Sequence, residues 1–183
     1  MSSIIPQGSA SGSGSMTLLA PVTNSNQTAT LPDATGTVMV SGNMPAFSAY
    51  PSTSQTISNA SFTKLQCNTK EFDTNSNYDN ATNYRFTPTV AGYYQVNGCV
   101  ATTVAMAQLF CSVFKNGSEF KRGTQAGSGG AYLFQAGIST IIYLNGSTDY
   151  VELYVYQQSG GNATINGNAP ALNYFQSAMV RAA

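Results

Sequence analysis

The chain has no histidine and no tryptophan, and only 8% of its residues carry charge. Each shortage excludes something. Without imidazole there are no Cys/His zinc sites and no Ser–His or Cys–His catalytic pairs. Seven basic residues balance seven acidic ones, so nothing attracts nucleic acid or an anionic membrane electrostatically. Soluble domains usually carry about 25% charge, so solubility here rests on Asn, Ser, Thr, Gln and Gly. The three cysteines, Cys67, Cys99 and Cys111, are odd in number and lack C-x-x-C spacing. Cys99 and Cys111 lie in apolar strand patterns and are expected to be small buried hydrophobes; one disulfide among the three stays open.

Other absences narrow the function. No apolar run is long enough to span a membrane, so no membrane insertion is expected. Met1-Ser-Ser-Ile-Ile-Pro6 has neither a basic nor an apolar signal-peptide region. The acids are scattered, with no carboxylate pair suited to hydrolysis. Gly127-Ser-Gly-Gly130 lacks the lysine and the strand-to-helix setting of a phosphate loop. Asp73-x-Asn75-x-Asn77 begins like a calcium loop but lacks its later Gly and bidentate Glu. The expectation is a chain with no cofactor, no metal and no enzymatic activity.

What is present is period two. After Gly92, Tyr94, Val96 and Val100 fall on one face and Gln95, Asn97 and Thr103 on the other, which describes a half-buried antiparallel strand. Asn116-Gly117 between apolar alternations is a strong hairpin signal. Asn145-Gly146 is a further turn, and a bulge is expected at Gly137 in a strand from Ala131 to Leu144. Strands are also expected over Phe62–Asn68, Tyr84–Thr87, Tyr150–Gln157 and Tyr174–Val180. No segment sustains helical periodicity. Regularly spaced strands with turns between them predict an all-β antiparallel sandwich.

The spacing Phe72-Asp73, Tyr78, Phe86, then Gly92-x-Tyr94-x-Val96 resembles the globular head of the complement C-one-q family, a tumour-necrosis-factor-like jelly roll that assembles as a trimer. Pro45-Ala-Phe47-Ser-Ala-Tyr50 resembles its opening strand. The resemblance implies a homotrimer and a core built on Phe72, Phe86, Gly92, Tyr94 and Val96. The chain departs from the family pattern at Val96, where an aromatic is usual, and at Ser177, where Gly is usual. No Gly-X-Y repeat precedes the head, so the collagen stalk is absent.

The domain reading is a flexible docking arm over 1–15, a short β-rich stalk or attachment segment over 16–42, and a jelly-roll head over 43–183. Thr30-Leu-Pro-Asp-Ala-Thr-Gly-Thr-Val38 resembles a segment found in bacteriophage tail-fibre and other virion proteins. Ile4, Ile5, Pro6, Leu18 and Leu19 are the candidate docking residues toward other virion proteins.

In Tyr150–Tyr156, Val151, Leu153 and Val155 share one face while Tyr154 and Tyr156 share the other; Phe110 and Phe114 likewise oppose Leu109, Cys111 and Val113. A strand apolar on both faces is usually covered on both. In a single sandwich the second cover would come from another subunit, which makes Phe110, Phe114, Tyr154 and Tyr156 candidates for a trimer seam. The alternative is that the tyrosines decorate an exposed sheet.

The functional expectation is a virion structural protein of a tailed bacteriophage, made in the host cytoplasm and displayed on the tail or capsid exterior. It would be a homotrimeric short tail fibre whose head binds a host cell-surface glycan or protein. The alternative is a capsid decoration or head-fibre trimer clamped to the shell by its N-terminal arm. Loop tips over 75–80, 123–130 and 160–168 are the candidate contact regions.

Overall fold

The computed structural model describes residues 44–126 and 133–183 throughout, with scattered residues before Met44. The candidate docking residues Ile4, Ile5, Pro6, Leu18 and Leu19 lie outside the described residues, as does the 127–130 glycine-rich tip. The sheets belong to one compact unit that runs from Thr37 to Ala183.

Thirteen strands are formed among the described residues: β1 Ala46–Tyr50, β2 Gln55–Ile57, β3 Thr63–Lys64, β4 Thr69–Asp73, β5 Tyr78–Asp79, β6 Arg85–Phe86, β7 Ala91–Thr102, β8 Gln108–Lys115, β9 Ser118–Arg122, β10 Phe134–Asn145, β11 Val151–Gln158, β12 Ala163–Ile165 and β13 Tyr174–Ala182. All ladders between these strands are antiparallel. One sheet has the order β10-β7-β13-β1-β4; the other runs β5-β6-β11-β8-β9 with β3 also on β11; β12 and β2 form a small third sheet. Neighbours distant in sequence, such as β1 beside β13 and β8 beside β11, give the two-layer jelly roll.

The alternation read from the sequence sets which side chains meet between the layers. Tyr94, Val96 and Val100 on β7 join Leu153 and Val155 on β11 and Cys111 and Val113 on β8 in one buried cluster. Phe47 lies at one aromatic centre of that core. It stacks on Tyr78 at 4.4 Å and on Phe86 at 4.7 Å, and meets Phe175 edge-on at 5.1 Å.

Asn116 and Gly117 both have positive φ, 51° and 80°, as a two-residue type I′ hairpin requires. Asn116 Nδ2 donates to Asp149 Oδ1 at 2.7 Å, and its Oδ1 accepts from the Tyr150 amide at 2.9 Å, tying this hairpin to the turn before β11.

Several expected elements shift. The strand expected over Phe62–Asn68 is only two residues long, because the chain crosses from one sheet toward the other; Leu65 and Cys67 still point inward and are fully buried. No bulge occurs at Gly137: the β10–β7 register is unbroken from Phe134↔Thr102 to Asn145↔Ala91. Register shifts fall instead at Ser48/Ala49, Val113/Phe114 and Met179/Arg181. The loop expected over 160–168 contains β12.

Candidate interaction surfaces

Four of the five residues of the core motif are buried. Phe86, Tyr94 and Val96 have no exposed surface. The Tyr94 hydroxyl donates to the Val90 carbonyl at 2.6 Å, and burial pushes its pKa up to about 12. Gly92 lies so close to β13 that a Cβ there would stand 2.4 Å from the Arg181 carbonyl oxygen.

Phe72 is the exception and corrects the expectation: it is half exposed. The register explains why. Phe72 stands opposite Ser48, and residues opposite each other in a ladder share a face. Ser48 sits between the inward-pointing Phe47 and Ala49, so Phe72 is carried to the outside. Its neighbours agree, since Ser48 Oγ donates to Glu71 Oε2 at 2.6 Å on that outer side. Phe47, whose sequence signal marks only the opening strand, fills the inward role.

Phe72 is not alone outside. Of nine exposed large hydrophobics among the described residues, five belong to the five-stranded sheet: Phe72, Tyr93, Ile141, Tyr143 and Val180. Tyr93 and Tyr143 are directly opposite, with ring centroids 5.6 Å apart. Beside this apolar end lies a polar band. Gln95 Nε2 donates to Ser139 Oγ at 2.7 Å and to Asn97 Oδ1 at 3.2 Å, while Gln176 pairs with Asn97 and Ser48 across the strands. An open depression lined by Asn97, Thr124, Ser139, Tyr174 and Gln176 continues this face.

The other sheet's outer face holds Phe110, Phe114, Tyr154 and Tyr156, and the structure brings all four together. Phe110 stacks on Tyr156 at 4.8 Å with planes 12° apart, and Phe114 meets Tyr154 at 4.1 Å. The cover that sequence reasoning seeks in another subunit is supplied in large part by the chain itself. Phe62, just before β3, contacts Phe110, Phe114 and Tyr156 edge-on at 5.1–5.9 Å. The Arg122 guanidinium lies 4.4 Å above the Phe110 ring. Phe110 is thereby buried within one chain, as are Ser112 and Glu152 on the same face. Lys64 Nζ pairs with Glu152 Oε1 at 2.6 Å, and Arg122 pairs with Glu119, whose pKa its hydrogen bonds lower. Phe62 opens an expected strand, but nothing in its spacing announces that it folds over the sheet.

The acidic loop residues are engaged in turn structure. Asp73 accepts from the amides of Asn77 and Tyr78 and from Lys70 Nζ. Asp79 accepts from the amides of Ala81, Thr82 and Asn83 and from the Asn83 side chain. These bonds, the Thr82 amide foremost, hold its carboxyl well below the usual carboxylate range. Among the described residues no group of His, Cys, Asp or Glu is placed to hold a metal ion. Cys67, Cys99 and Cys111 are free buried thiols whose pKa values burial raises, that of Cys111 to about 12.

Solved structures with this arrangement decide the fold type. The chain is similar to the globular domain of zebrafish complement 1qA protein (14% identity, TM-score 0.57, 76% of this chain and 98% of that one). It is also similar to Eiger TNF from S. frugiperda (8% identity, TM-score 0.59, 76% and 93%). The fold is the jelly roll of the tumour-necrosis-factor and complement-head type. The phage PRD1 vertex protein P5 shares it as well (13% identity, TM-score 0.52, 76% and 98%). No family model matches the sequence, and no curated protein matches it.

Proposed function

We propose that the protein is a bacteriophage virion structural protein, a homotrimer that displays its jelly-roll head on the particle exterior for attachment to the host surface. The observation that carries this reading is the apolar outer face of the five-stranded sheet. Exposed apolar residues scattered singly need no explanation, whereas a contiguous patch marks an interaction surface. Tyr93, Ile141 and Tyr143 lie together on two adjacent strands at one end of that face, with Val180 on the neighbouring β13, while Phe72 stands on the edge strand across the polar row of Asn97, Gln176 and Ser48; burying each large side chain of the cluster contributes roughly 2 kcal/mol before entropy is subtracted. The subunit seam is therefore assigned to this face rather than to Phe110, Phe114, Tyr154 and Tyr156, which the chain already covers in large part. Three equivalent heads would raise the effective concentration of weak host contacts without new contacts in any one of them.

The likeness to a vertex protein favours, as the second reading, a trimer fixed to the capsid shell. In both readings residues 1–42 provide the attachment to other virion proteins. Quantitative peptide mass spectrometry of purified particles tests the proposal. A few dozen copies or fewer indicate a tail fibre and hundreds indicate shell decoration, whereas absence from the particle contradicts both.

A further inference from the structure

We propose that the two apolar spots on the outer face of the five-stranded sheet are the two halves of one joint between copies of this chain. Phe72 and Glu71 of one copy seat against Tyr93, Ile141, Tyr143 and Arg181 of the next, head to tail. The inference gives the trimer reading its mode of contact and rests on that reading.

The charges single out the pair. Among the described residues Asp73, Glu119, Asp149 and Glu152 are each paired with a cation. Asp79 is held by turn amides. Glu71 has neither, and accepts only from Ser48 Oγ. The cations divide in the same way. Lys64, Lys70, Lys115 and Arg122 meet carboxylates, and Arg85 and Lys121 lie over the Tyr150 and Phe120 rings. Arg181 has neither kind of partner among the described residues. The carboxylate and the cation left over are opposite in sign, and both are exposed on the same sheet.

Each stands beside an apolar spot. Glu71 precedes Phe72 on the edge strand β4. Arg181 lies opposite Tyr93, whose other cross-strand neighbour is Tyr143. Within one copy the polar row of Asn97, Gln176 and Ser48 separates the two spots, so neither covers the other.

Shape agrees with charge. Phe72 borders a recess of about 220 Å³ walled by Gln95, Gln176 and Ala178. A cavity of about 150 Å³ holds a benzene ring, so the recess has room for one large side chain of the neighbouring cluster. A joint between two unlike patches is heterologous, and such contacts close into rings when the rotation allows. In a ring of three, every Glu71 meets an Arg181 and neither apolar spot is left open.

The test combines charge reversal and cross-linking in the full chain. Glu71→Arg and Arg181→Glu each place like charges at every joint. Each is expected to raise the concentration at which the trimer half-dissociates about tenfold, read by analytical ultracentrifugation. Glu71→Arg/Arg181→Glu restores opposite charges and is expected to return to the unmodified value. Phe72→Cys/Ile141→Cys, mildly oxidised, is expected to give a covalent species of three chains on a non-reducing gel. Neither cysteine variant alone should give a covalent dimer, and the native thiols are buried. Circular dichroism melts confirm that each variant is folded. Single reversals without effect, a double reversal no better than the singles, or no covalent trimer overturns the inference. So does a disulfide dimer from Phe72→Cys alone, which would mean that like spots meet. A trimer that fails these tests sinks only this joint; an unmodified protein that sediments as a single chain sinks the reading beneath it as well.

Discussion

Tyr93 and Tyr143 face each other across the β7–β10 ladder with ring centroids 5.6 Å apart, and both keep more than two fifths of their surface exposed. Paired aromatics on a sheet face are ordinarily covered, and here the Lys115 ammonium, 5.8 Å from the Tyr143 ring centroid, leaves both rings largely open. On the opposite sheet the reverse holds: Phe110 is as apolar, yet Phe62, Tyr156 and Arg122 close over it. The two outer faces thus differ in kind: one is open, with an apolar end beside a polar band, and the other is largely covered by its own chain.

The core assignment predicts an asymmetry between two phenylalanines. Phe47→Ala removes a fully buried ring stacked on Tyr78 and Phe86 and is expected to cost ~3–5 kcal/mol. Phe72→Ala, made in a monomeric background, is expected to cost less than ~1 kcal/mol. Urea unfolding followed by circular dichroism measures both.

Acid sensitivity should trace partly to Asp79. Its carboxyl titrates well below the usual range because backbone amides donate to the ionised form. A folded pKa below the unfolded one means that the stabilisation is fully present above about pH 4 and is lost as pH falls further. Melting temperature should therefore drop below about pH 4, and Asp79→Asn should melt lower at neutral pH but show a shallower drop. Equal slopes in the two proteins would contradict this.

The thiols should be silent until the fold opens. Cys67, Cys99 and Cys111 are buried, and burial raises all three pKa values, which suppresses the reactive thiolate. Ellman's reagent in mildly alkaline buffer is expected to label fewer than one thiol per native chain within minutes and all three in guanidinium.

Much of this fold was legible in the sequence because it is written in local rules. Tyr94, Val96 and Val100 announce their strand by alternation, and Asn116-Gly117 announces its hairpin by backbone chemistry. What stayed hidden depends on register between distant segments. Phe72 has the right residue type for a core, but the shift at Ser48/Ala49 and its partner Ser48 place it outside. Phe62 shields Phe110 from a loop far away in sequence, which no periodicity can reveal. The aromatic rows on β8 and β11 were visible as doubly apolar strands; that their cover is mostly intramolecular was not. The exposed face of Tyr93, Ile141 and Tyr143 carries no sequence signal of its own, because its residues alternate with core residues and only the ladder brings them side by side.

The most direct measurement is the sedimenting mass of the purified protein and of an Ile141→Asp/Tyr143→Asp variant. A trimer sealed through the five-stranded sheet predicts a folded species of three times the 19.2 kDa chain mass for the unmodified protein. It predicts a folded single chain for the variant, since both side chains lie outside the core. A stable, soluble single chain without any substitution, or a trimer indifferent to two aspartates on this face, would contradict it.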